Sequence, residues 1–147
     1  EDVDLAAADG YNVGSIVGSE YHAENEAYKS DGIVLDPGRP ETLVYEPTPN
    51  GPILLGALYE MEGIGQAGPM FAGPITVWHA HDHICFGSIP LSITGFESPL
   101  GSCPILSFSM PVTNEMMHVW TLQGVDEPYA ELDEDWLEDY LATELES

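Results

Sequence analysis

Apolar positions along the chain change period several times, and each change marks an element. Val3 to Ala8 reads as a short helix that Gly10 ends. A stretch rich in Gly and Ser follows, and Tyr21-His22-Ala23-Glu24-Asn25 reads as part of a loop. The run Asp36-Pro37-Gly38-Arg39-Pro40 is rich in turn formers, and Thr42 to Glu46 after it reads as a strand. Pro49-Asn50-Gly51-Pro52 is a strong turn signal. Ile53 to Met61 is then a second strand, apolar on both faces and so expected inside a sheet, pairing with the first as an antiparallel hairpin. Glu62 to Gly73 is Gly-rich and irregular. Ile75 to Phe86 reads as a third strand and Gly87 to Pro104 as a long loop. Ile105 to Ser109 and Met116 to Leu122 read as two further strands. From Asp126, Leu132, Trp136, Leu137, Tyr140, Leu141 and Leu145 recur at helical spacing, which predicts an amphipathic helix with a strongly acidic outer face. The expected fold is a β-rich α+β domain. It has a mainly antiparallel sheet, a short N-terminal helix and an acidic C-terminal helix.

The length of 147 residues fits one domain spanning 1–147, with the acidic tail at 126–147. A hydrophobic content of 44% supplies a core and separates the chain from disordered sequences. Charge changes the picture more. Asp and Glu number 26 against two basic residues, Lys29 and Arg39, for a net charge of −24. Molar salt shortens the screening length to about 3 Å and relieves such self-repulsion. The composition therefore points to a halophilic, haloarchaeal source. It argues against nucleic-acid binding and against an anionic membrane surface, since both would repel the chain. No apolar run reaches the roughly 20 residues of a membrane span. The chain begins at Glu1, which is compatible with removal of an export signal. The two cysteines, Cys85 and Cys103, flank the long loop, and a disulfide between them would close it and suit an exported protein. The acidic helix is a candidate surface for a protein partner.

Histidine placement carries the chemistry. Three of the five histidines lie in Trp78-His79-Ala80-His81-Asp82-His83-Ile84-Cys85. On one continuous strand, alternation would put His79, His81, His83 and Cys85 on a common face. A row of imidazoles is a costly way to fill a core, because each needs a hydrogen-bond partner. Residues two apart on a strand are about 7 Å apart at Cα, so two such imidazoles can converge on one ion about 2.0–2.1 Å from each nitrogen. Residues four apart are too far separated. His79 pairs with His81, or His81 with His83, with His83 the additional candidate. His118, on the predicted strand Met116 to Leu122, is the candidate third ligand. His22 is the candidate fourth, with Glu20 and Glu24 as carboxylate candidates beside it. Such a set suits a single transition-metal ion, with zinc first and copper, iron or nickel as rivals. No nucleophile elbow, phosphate-binding loop or dinucleotide fingerprint is present. Three readings stay open: a metal-binding protein, a metal-dependent enzyme with an open coordination position, and a small domain stapled by its metal.

Several segments together resemble a family of exported bacterial and haloarchaeal proteins without an assigned activity. They are Leu5-Ala6-Ala7-Ala8-Asp9-Gly10-Tyr11, Asp36-Pro37-Gly38-Arg39-Pro40-Glu41-Thr42-Leu43-Val44-Tyr45, Gly56-Ala57-Leu58-Tyr59, the stretch Gly73 to Phe86, and Met117-His118-Val119-Trp120. The resemblance covers most of residues 3–131 and leaves out the acidic tail. It implies that His79, His81 and His118 share one site, with a loop histidine matching His22. His83 stands where the family often has another polar residue, and Ile84 replaces a leucine. A weaker likeness is to the start of the first cupin motif, Gly73 followed after five residues by His79-Ala80-His81. The glutamate that motif expects is replaced by Cys85 or Phe86. It offers an analogy for a β-fold, oxygenase or hydrolase, with an H-x-H site.

Overall fold

The computed structural model describes residues 3–88 and 91–146, with side chains as far as Thr143. The fold is β-rich α+β. Helix α1 (Val3–Ala8) leads into β1 (Asn12–Val17) and β2 (Glu20–Glu24), and the short α2 (Glu26–Lys29) follows. Next come β3 (Thr42–Glu46), β4 (Ile53–Glu60), β5 (Asp82–Ser88), β6 (Leu91–Phe96), β7 (Ser107–Val112) and β8 (Met116–Trp120), and α3 (Glu134–Glu146) ends the chain. The strands form one sheet in the order β7-β5-β6-β1-β2-β3-β4-β8. All neighbours are antiparallel except β1 and β6, which meet in parallel at Ile16 and Ser92.

Elements with strong local signals form as expected. Gly10 closes α1 at φ 100°, a conformation costly for a residue with a Cβ. The turn at Pro49–Pro52 joins β3 to β4, and β4 is paired on both sides, as its two apolar faces require. Asp133 accepts from the Trp136 N–H at 2.8 Å and so caps α3. The helix thus begins at Glu134 rather than Asp126. The preceding segment, held where the Trp120 N–H donates to the Pro128 carbonyl, is irregular. Leu145, expected on the buried face of this helix, lies outside the residues whose side chains are described.

Other expectations are corrected. The stretch Ile75–Phe86 is not one strand. Gly73–Ile75 is a single 3-10 turn, His79 makes an isolated bridge to Met116, and the ladder resumes only at Asp82. The expected loop 87–104 contains β6, which pairs with β5. The strand expected at Ile105–Ser109 runs from Ser107 to Val112. Residues 12–17 and 20–24 were expected to be irregular but form the hairpin β1–β2, so His22 sits on a strand and not in a loop. Short segments containing Gly and Ser have little strand preference of their own, and here pairing with β3 and β6 supplies it.

Two cores form on the two sides of the sheet. Val44, Leu55, Leu58, Met116, Trp120 and Leu122 pack with Leu132, Trp136, Leu137 and Tyr140. The apolar face of α3 is thereby occupied, and Glu134, Asp135, Glu138 and Asp139 face outward. Tyr11, Ala23 and Tyr45 pack on the other side with Val3 and Ala6 of α1. Gly56 pairs with Val44 in β3 and with Trp120 in β8. A Cβ at Gly56 would run into the Val119 carbonyl and the Trp120 backbone, so glycine lets β8 approach closely.

One buried acid makes stability depend on pH. Glu41 is 2% exposed, and its Oε2 has no hydrogen-bond partner among the described residues. Burial pushes its carboxyl up to about 7. An unfolded Glu titrates near 4.3. Between those values the folded state holds the extra proton, so stability falls as pH rises through this window. Glu41→Gln has no such proton to lose. At pH 8 it should be more stable than the parent by on the order of 2–3 kcal/mol, and by little at pH 4. Urea melts at the two pH values check this, and an equal difference at both would show that ionisation of Glu41 is not the cause.

Candidate metal centre

His22 and His118 stand on β2 and β8, three strand spacings apart in the sheet. His22 pairs with Val44, Val44 with Gly56, and Gly56 with Trp120, two residues along β8 from His118. Side chains of these pairs share one face. On a flat sheet, that separation would be about 14 Å. The two ring centroids are 6.3 Å apart. The sheet is therefore strongly curled, with this face concave, and the histidines point inward.

The segment before β5 completes the group from the open edge of β8. His79 N donates to the Met116 carbonyl at 2.9 Å, and Met116 N returns a bond to the His79 carbonyl at 2.8 Å. Thr113 N donates to the His81 carbonyl, and His81 N to the Thr113 hydroxyl oxygen. These bonds fix the backbone of the H-x-H pair beside β8. The His79 and His81 rings lie 5.0 Å apart, and His79 stacks on His118 at 5.5 Å. His118 in turn stacks on Trp120 at 4.8 Å. Trp78, just before the pair, lies over Gly68 so closely that a Cβ there would overlap its ring, and its indole N–H donates to the Pro69 carbonyl. His22, His79 and His118 are half-buried and His81 is exposed, so His81 marks the mouth of the cluster.

Burial favours the neutral form of His22, His79 and His118. Burial and then the neighbouring His79, His22 and His81 push His118 down to about 3. Burial also lowers His79, with His81 adding to the effect and Glu131 opposing it, and burial lowers His22. Neutral imidazoles each offer one nitrogen lone pair, the form that binds metals. Among the described residues, however, no three His, Cys, Asp or Glu side chains present an arrangement that would hold an ion as they stand. Stacking of one pair contributes to this. The His79 and His118 planes are 14° apart, so lone pairs lying in those planes run alongside each other instead of meeting. Gripping one ion requires the rings to turn about their side-chain torsions.

The remaining candidates fall elsewhere. His83 leaves the strand conformation at φ 54°, is exposed, and bonds Glu97 at 2.9 Å through Nδ1, which raises its pKa. The register places it opposite Pro111, which has no N–H to give the ladder. The expected common face of His79, His81, His83 and Cys85 is thus broken at His83. Glu24 is held by Lys29 at 2.7 Å, and Lys29 also reaches Glu60 at 3.1 Å. Glu20 lies on the His22 side of β2, where burial, then Glu46 and Glu134, push it up to about 7. Sequence reasoning missed Glu131, whose charge acts on His79, because nothing in an acidic tail distinguishes one glutamate from the next. Cys85 and Cys103 form the expected disulfide, with Cα atoms 5.5 Å apart. No protein-family model, curated protein or solved structure matches the chain.

Proposed function

We propose that His22, His79, His81 and His118 bind one transition-metal ion, zinc first with copper and iron as rivals, in an exported protein adapted to high salt. The observation that carries the reading is the convergence of four of the five histidines, from β2, β8 and the segment before β5, into one chain of ring contacts between 5.0 and 6.3 Å. Hydrophobic residues would fill that concave space at lower cost than imidazoles. Without an ion, the rings rest in stacked and edge-on contact. Ion binding would exchange stacking for coordination at about 2.0–2.1 Å. Glu131, whose charge acts on His79, and Glu20, on the His22 side of β2, are the candidate sources of a carboxylate.

Metal content by plasma mass spectrometry tests this on untagged protein purified in high salt without chelators. About one equivalent of a single transition metal is expected. Absence of metal, together with no uptake of zinc, copper or iron on titration, would end the proposal. The exposure of His81 favours a second reading, in which the ion keeps a water ligand at the mouth and acts as a catalyst. An ion with four protein ligands and no exchangeable water would instead be a structural staple.

Support for export is the disulfide, a bond that persists in oxidising compartments. Among the described residues no helix is long and apolar enough to cross a membrane. Support for salt adaptation is the charge of −24. The melting temperature should rise by on the order of 10 °C or more between about 0.1 M and 3 M KCl, as screening removes self-repulsion. Calorimetry at the two salt levels checks this, and a melting temperature independent of salt would count against a halophilic source.

A further inference from the structure

The acids are not spread evenly. From Gly63 to Asn114, about a third of the chain, the only charged side chains besides histidine are Asp82 and Glu97. Glu97 accepts from the Ser109 hydroxyl and bonds His83, whose protonated form offsets its charge. The structure gathers part of this neutral stretch into β5, β6, β7 and the disulfide-closed loop between the last two. Large apolar side chains stand out from it. Leu100 is 94% exposed, Ile105 93%, Leu106 88%, Phe96 74% and Phe108 44%. Strand β7 stands at one end of the sheet and, among the described residues, pairs with β5 alone. The Cys85–Cys103 bridge ties the loop to β5 and so holds these side chains in place.

We infer that this neutral face, built from β7 and the disulfide loop, is the interface through which two copies of the chain associate. Three physical arguments select a second copy as the occupant. Two protomers that each carry −24 can approach closely only where neither presents charge, and this face meets that condition on both sides at once. An edge strand is self-complementary, because a two-fold axis lays β7 antiparallel to its own copy. The area also suffices. These five large apolar side chains present on the order of 600 Å² per copy at these exposures, and a stable interface needs roughly 800 Å² per partner, with neighbouring polar atoms making up the rest. A basic partner would choose the acidic helix α3 and the N-terminal half of the chain instead. The inference is independent of the metal proposal, since none of the four clustered histidines lies on this face.

Sedimentation velocity of the full chain tests the inference, in about 3 M and about 0.2 M KCl at total concentrations from roughly 1 to 200 µM. A dimer is expected in high salt, weakened at low salt where the two charges are poorly screened. The variant I105D/L106D places a charge at two sites that are nearly fully exposed, so it should fold as the parent does, and circular dichroism checks that it does. Its dimer should dissociate at least about 10-fold more readily. Glu138→Gln, on the outer surface of α3, should leave association unchanged. A parent that stays monomeric at the highest concentration in high salt would overturn the inference. So would a dimer that I105D/L106D leaves intact, because another face would then be in use. Co-flotation of a monomeric parent with uncharged phosphatidylcholine vesicles would reassign the same face to a lipid surface.

Discussion

Replacing His118 with phenylalanine should abolish zinc uptake while the fold survives. His118 sits at the centre of the cluster, in ring contact with His22, His79 and Trp120. Phenylalanine keeps a ring to stack on Trp120 and His79 but offers no lone pair. Loss of a direct ligand should weaken binding by at least about 100-fold, at or beyond the upper end of what losing a supporting group costs. His79→Ala and His22→Ala should approach the same loss. His81→Ala should lose less, about 10-fold, because His81 is exposed on an irregular segment and water can take its place. His83→Ala should change nothing, since His83 faces away and serves Glu97. Isothermal titration with zinc in high salt, on protein first stripped of metal, reads the whole series. Full zinc binding by His118→Phe, or its loss in His83→Ala, would show that the cluster is not the site.

The second large effect concerns the disulfide. Cys85 is fully buried within β5, and Cys103 lies 18 residues on. A cross-link closing a loop of that length limits the unfolded chain by about 3 kcal/mol. The double variant C85S/C103S also buries a hydroxyl where a sulfur packed, which costs about 1–2 kcal/mol more unless a partner is found. Together these should lower stability by about 3–5 kcal/mol, a large part of the 5–15 kcal/mol of an ordinary domain. The loss should be greatest for protection around β5, β6 and β7, which the bridge joins, and smaller around β3 and β4. Denaturant melts with hydrogen exchange on the oxidised protein and the variant check both statements. A variant within about 1 kcal/mol of the parent would mean the bridge adds little beyond the packing already there. Loosening this region should also weaken self-association, which couples the bridge to the inferred interface.

Sequence alone determined the parts whose cause is local. Gly10 ends α1 because glycine takes a positive φ that other residues avoid. The β3–β4 hairpin follows from two apolar runs flanking Pro49-Asn50-Gly51-Pro52. The helical repeat of Leu132, Trp136, Leu137 and Tyr140 placed a helix on the sheet, and the Cys85–Cys103 bridge was legible because the sequence holds just these two cysteines. The H-x-H pair, His118 and His22 were likewise visible as residue types. Tertiary structure decided what those residues do together. Hairpin β1–β2 and strand β6 are held by their neighbours across the sheet, and short segments containing Gly and Ser give no pattern that announces this. The strand drawn from Ile75 to Phe86 starts late, because Gly73–Ile75 is a 3-10 turn and the ladder resumes only at Asp82; within it, His83 turns to φ 54° opposite Pro111, a partner 28 residues away in sequence. Alternation along one strand could therefore not say which histidines share a face. Convergence of His22 with His118 depends on curvature accumulated over β2, β3, β4 and β8, to which Gly56 contributes by letting two backbones approach. Curvature belongs to the whole sheet, since each strand adds a small twist whose sum no single segment contains. The four histidines were readable one by one, and only the curled sheet made them a cluster.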